Sequence, residues 1–93
     1  MVTLDEAKNY LKVDASDDDA FIEDCVDASI RYVKDMLRVE DFKEFKKKEK
    51  SLIKVAIFYA IHFLYEGRGN ADHHKLMKTI RSLLSGLRSV EFW

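Results

Sequence analysis

Between Leu52 and Tyr65 the chain reads Leu-Ile-Lys-Val-Ala-Ile-Phe-Tyr-Ala-Ile-His-Phe-Leu-Tyr, with only Lys54 and His62 strongly polar. A helix that is apolar around nearly its whole circumference must be covered on most sides. The run is also shorter than the roughly 20 residues that cross a bilayer, so it reads as a core helix and not a membrane span. Proline is absent and only three glycines occur, which favours helices over a sheet with its turn residues. The expectation is an all-α fold: a small bundle of four to five helices around a buried central helix over residues 49–66. A helix consumed by packing leaves little room for a catalytic pocket. Function should therefore lie on the surfaces and at the chain ends, in one 93-residue domain.

The flanking segments supply the cover. Thr3 with Glu6 three residues on is a capping box, opening a helix to about Lys12 with Leu4, Ala7 and Leu11 on one side. After the link Val13-Asp14-Ala15, Ser16 reads as the cap of a second helix whose first turn is Asp17-Asp18-Asp19, three carboxylates at the positive end of a helix dipole. Ile22, Cys25, Val26, Ile30, Val33, Met36 and Leu37 follow at helical spacing. Periodicity weakens over residues 39–50, where lysines dominate; a loop with a short helix is expected, pinned by Phe42 and Phe45. Gly67 suits a left-handed cap on the central helix, and Tyr65, Glu66 and Arg68 are expected to organise the turn beyond it. A last helix spans roughly residues 71–85 through Leu76, Ile80, Leu83 and Leu84, and residues 88–93 form an apolar tail ending in Phe92 and Trp93.

Charge is unevenly spread. Residues 1–30 carry net −7 and residues 31–93 net +6, although the whole chain is only −1. Opposite-signed ends suit head-to-tail association, while two solvated faces are the plainer explanation. The lone Cys25 excludes an internal disulfide, fits a reducing cytoplasm, and sits on an apolar face as a buried thiol. The charged start, Met-Val-Thr-Leu-Asp-Glu-Ala-Lys, lacks the apolar core of a signal peptide.

Catalytic and metal motifs are wanting. A calcium loop started at Asp14 would have Asp19 in place of its glycine and Cys25 in place of its final glutamate. His73 and His74 point about 100° apart on a helix, so with His62 they read as solvated residues and not as ligands. No nucleophile elbow, phosphate loop or dinucleotide fingerprint occurs, and neither an enzyme nor a cofactor is expected. Lys43, Lys46, Lys47, Lys48, Lys50 and Lys54, with Phe42 and Phe45 interleaved, resemble a nucleic-acid surface, although Glu44 and Glu49 dilute it.

Three segments together resemble a known family. They are Leu4-Asp-Glu-Ala-Lys-Asn-Tyr-Leu-Lys-Val-Asp14, then Asp18-Asp-Ala-Phe-Ile-Glu with Ala28 and Tyr32, then Phe63-Leu-Tyr-Glu-Gly-Arg68 followed by Leu83-Leu-Ser-Gly-Leu-Arg88. The pattern is similar to the small head–tail connector proteins of long-tailed bacteriophages and prophages, also described as head-completion adaptors or DNA-packaging proteins. Gly67 stands where that family commonly has Asn, and Gly86 where proline is frequent. The resemblance implies a virion protein, made in the host cytoplasm, that forms a homo-oligomeric ring at the head–tail junction. Such a ring joins the portal protein to stopper or tail-completion proteins and extends the DNA channel without reading sequence. The expected subunit contact sets Asp17, Asp18 and Asp19 against Lys46, Lys47, Lys48 and Lys50 of a neighbour, with Phe92 and Trp93 docking on the portal. The alternatives are a helical nucleic-acid-binding or regulatory protein using the Lys43–Lys54 surface, and an antitoxin-like or adaptor domain.

Overall fold

The structure, a computed structural model, describes residues 2–67 and 72–85. Four helices follow one another: α1 (Leu4–Leu11), α2 (Asp19–Leu37), α3 (Lys47–Gly67) and α4 (His73–Leu84), with no strand among the described residues. α3 packs against all three others, most extensively against α2.

Helix starts are set by local chemistry. At α1 the capping box closes in both directions: the Glu6 N–H donates to Thr3 Oγ1 at 3.2 Å, and the Thr3 N–H to Glu6 Oε1 at 3.2 Å. Val2 and Ala7 on either side of the cap are both buried, the positions of a hydrophobic staple. α3 begins two residues before the expected 49, because the Lys46 N–H donates to Glu49 Oε1 at 2.8 Å. Half a capping box thus takes Lys47 and Lys48 out of the loop and onto the helix. The expected short helix at residues 39–50 is only a turn, its Phe45 N–H bonded to the Phe42 carbonyl at 3.2 Å. Asp72 caps α4 through the Lys75 N–H at 3.1 Å.

α1 and α2 end alike, on non-glycine residues in the left-handed region: Lys12 at φ 61° and Arg38 at φ 58°. The N–H of Lys12 reaches Asn9 O and that of Val13 reaches Lys8 O; Arg38 and Val39 repeat the pattern on Asp35 and Lys34. These are paired Schellman motifs, each followed by a valine that packs on the core. Gly67 is the last residue of α3; the turn expected beyond it, with Arg68, lies outside the described residues, as does the 88–93 tail.

The circumference of α3 divides cleanly. Ile53, Ala56, Ile57, Ala60 and Ile61 are fully buried, a stripe at spacings of three and four facing the core. One flank meets α1, where Lys54 pairs with Glu6 and Phe58 stacks on Tyr10 at 4.8 Å. On the other flank Tyr59, Phe63 and Gly67 share a groove with Asp72 and Lys75 of the α4 start. Beyond its exposed start at Lys47, Lys48 and Lys50, what remains outside is a narrow strip of Ser51, Val55, His62 and Glu66, in which Val55 is the apolar exception at 53% exposure. No helix among the described residues is long and apolar enough to cross a membrane.

Candidate functional site

The two ends of α2 gather most of the residues singled out by sequence. At its start the three aspartates are not alike. α2 begins at Asp19, not Asp17; the preceding turn is closed by the Asp19 N–H on the Ser16 carbonyl at 3.2 Å, and neither Ser16 nor Asp18 caps through its side chain. The expected row of three carboxylates in the first turn is therefore reduced to Asp19. That side chain takes Lys8 Nζ at 2.8 Å, joining α2 to α1. Asp18 Oδ2 accepts the Tyr65 hydroxyl at 2.8 Å, joining α2 to the end of α3, and the Phe21 and Tyr65 rings lie 6.0 Å apart above it. Asp17 is exposed. Tyr65, read from sequence as part of a turn, thus sits at a junction of two helices, while Glu66 is exposed and 3.9 Å from His62 one turn back.

The other end of α2 is built differently. Phe42 and Phe45 are buried, with ring centroids 6.4 Å apart, and fix the turn that carries Lys43 between them. Lys34 Nζ lies 5.8 Å from the centre of the Phe42 ring. Lys34, Lys43 and Lys50 then line one open groove with Ile30, Asp41 and Phe42, bringing together cations from α2, the turn and α3. Asp41 is turned to its own loop, accepting the Lys43 N–H at 2.9 Å. A second groove beside it is lined by Arg31, Lys34, Asp35, Arg38, Val39 and Glu40. Lys46, Lys47 and Lys48 are exposed at the start of α3. This end sets several cations around grooves that Asp35, Glu40 and Asp41 also line.

The histidines separate. His73 Nδ1 lies 3.0 Å from the Tyr32 hydroxyl, tying α4 to α2, while His62 and His74 are exposed elsewhere. Among the described residues no group of three or more His, Cys, Asp or Glu side chains is placed to hold a metal ion. Cys25 is buried, at the base of a shallow groove with Phe21, Ala28, Tyr32, Leu64 and His73.

Sequence reasoning missed Lys8, Lys54 and Tyr32 as cross-helix partners. Glu6 is bonded by the Lys54 ammonium and by the Thr3 N–H, and both hold its carboxyl below the ordinary glutamate value of 4.5. Only the capping half of that role was readable from spacing. Phe92 and Trp93 lie outside the described residues.

A family model described as "Phage gp6-like head-tail connector protein" matches residues 1–85. No curated protein and no solved structure matches the chain. The match covers all four helices, both ends of α2 and the turn between α2 and α3, and the all-helical fold agrees with what the residue pattern implied. The chain belongs to the phage gp6-like head–tail connector family.

Proposed function

We infer that this chain closes with copies of itself into a ring that sits between the portal and the stopper or tail-completion proteins and extends the channel through which DNA passes. The observation that carries the reading is the family match over residues 1–85. Two features of the subunit support it. A helical body held by a compact core suits a rigid structural part, and its charge is segregated between the two ends of α2, an arrangement that suits a heterologous ring contact. In this reading the acidic start of α2, with exposed Asp17, faces the neighbour's basic end at Lys46, Lys47, Lys48 and Lys50. Phe92 and Trp93 anchor the ring to the portal, as large aromatics do at interfaces. The role is structural, in a particle assembled in the host cytoplasm.

Native mass spectrometry of the chain across concentration, alone and with purified portal, tests the reading, with negative-stain imaging of the large species. A closed assembly with a central hole, in either sample, is expected. A chain that stays monomeric in both samples would sink it. The groove lined by Lys34, Lys43 and Lys50 favours one second reading, a surface for duplex DNA. That reading calls for binding that weakens steeply as salt rises.

A further inference from the structure

The outer face of α2 changes sign along its length. Glu23, Asp24, Asp27 and Arg31 are exposed at spacings that place them on one side of the helix, with Lys34 half-buried and Arg38 exposed beyond them. The first three are acids and the last three are bases, separated along a helix roughly 28 Å long. The acidic half is not neutralised within the subunit, and the basic half only at Arg31. Glu23, Asp24 and Asp27 make no ion pair among the described residues; beside the basic half Asp35 lies 3.9 Å from Arg31, Asp41 accepts from its own loop, and Glu40 and Glu44 are exposed, so cations outnumber acids there. The contrast with Asp18 and Asp19 is direct, since those two carboxylates are spent on Tyr65 and Lys8.

The halves also differ in shape. The basic half opens into the groove formed by Ile30, Lys34, Asp41, Phe42, Lys43 and Lys50, three cations to one acid over an apolar floor. The acidic half runs along the helix itself as a row of exposed carboxylates, Glu23, Asp24 and Asp27, with Asp24 at the rim of the Cys25 groove. A row of carboxylates and a cationic groove on the same molecule, adjoining along one face at Asp27 and Arg31, are complementary between copies.

We propose that the Glu23–Asp24–Asp27 row of one subunit seats in the Lys34–Lys43–Lys50 groove of the next copy of this chain, with Arg31 and Arg38 at its margin. The assignment rests on the ring reading and moves the centre of the acidic contact from the α2 start onto the helix itself. The contact is head-to-tail: each subunit keeps one row and one groove in use, and only a closed circle leaves none over. A two-fold antiparallel pairing that set Asp27 on Arg31 and Asp24 on Lys34 would also set Glu23 against Asp35, two like charges.

Two triple variants test it, in sedimentation velocity with and without purified portal at ordinary salt: Glu23→Lys/Asp24→Lys/Asp27→Lys, and Arg31→Glu/Lys43→Glu/Lys50→Glu. All six residues are exposed, and circular dichroism checks that each variant folds. If a reversal does not fold, the neutral Glu23→Gln/Asp24→Asn/Asp27→Asn variant takes its place. Each variant alone should need at least roughly tenfold more protein to assemble, and a 1:1 mixture of the two reversed variants should recover the parent behaviour. Assembly of both variants at the parent concentration, while the parent builds rings, overturns the α2 contact and leaves the ring reading intact. A parent that forms no assembly overturns both. A parent that stops at two subunits overturns the head-to-tail arrangement. A basic-groove variant that assembles normally but loses duplex DNA binding gives the groove to DNA and overturns the proposal.

Discussion

The two ends of α2 carry similar densities of charge and put them to opposite use. At the start, Asp18 and Asp19 are bound within the subunit, by the Tyr65 hydroxyl from α3 and the Lys8 ammonium from α1. At the finish, Arg38, Lys43, Lys46, Lys47, Lys48 and Lys50 face outward over a turn held by two buried phenylalanines. One end fastens helices to each other through polar bonds. The other is fastened by apolar packing beneath, which leaves its charges available. Counting charges does not separate the two; a carboxylate becomes structural where a donor on a neighbouring helix reaches it.

The comparison breaks at the hydrophobic pins first. Phe45→Ala should cost about 3 kcal/mol of stability, as large-to-small changes at buried phenylalanines do, and should loosen the basic groove with it. Chemical denaturation measures the loss; a change below about 1 kcal/mol would mean that the turn is not held by its rings. The acidic end is next. Tyr65→Phe keeps the ring against Phe21 but removes the donor to Asp18, and should cost about 1.5 kcal/mol in the same assay, because the bond is to a charged group. An unaltered midpoint would show that Asp18 is satisfied equally well by water.

The helix ends sharpen the comparison from the other side. Arg38→Gly and Lys12→Gly each relieve a left-handed residue with a side chain, and each should raise stability by up to about 1 kcal/mol in thermal denaturation. Destabilisation by either would contradict the Schellman assignment. The smallest effect is at Glu6. Its carboxyl is held below the ordinary value, so its ionised form contributes stability that is present above about pH 4.5 and lost as pH falls through the lower folded value. Glu6→Gln should therefore melt below the parent at pH 7, with the gap closing towards pH 3. A gap that is constant with pH would remove the ionic part of that contact.

Much of this architecture is readable from the chain because its signals are local. The capping box at Thr3 and Glu6, the apolar stripe of α2 and the apolar spine from Leu52 all depend on neighbours within one or two turns. The half capping box of Lys46 and Glu49 has the same spacing, but it lacks the Ser or Thr that usually announces it, so α3 begins earlier than the pattern suggests. The Leu-Lys-Val and Leu-Arg-Val ends of α1 and α2 are a repeated signal hidden by the absence of glycine. The fates of Asp18 and Asp19 depend on Tyr65 and Lys8, 47 and 11 residues away, and no local rule connects them. Lys34, Lys43 and Lys50 come from three separate elements, so the groove exists only once the turn has folded over Phe42.

The central claim is that Asp18 and Asp19 at the start of α2 hold the subunit together, whereas the cations at its other end join subunits. Sedimentation velocity on a portal mixture, run with Arg31→Glu/Lys43→Glu/Lys50→Glu and with Tyr65→Phe, tests it most directly. The expected result is loss of the fast-sedimenting complex for the basic-end variant alone, with Tyr65→Phe assembling like the parent despite its lower melting point. Loss of assembly in Tyr65→Phe with the basic-end variant unaffected would reverse the roles of the two ends and contradict the account.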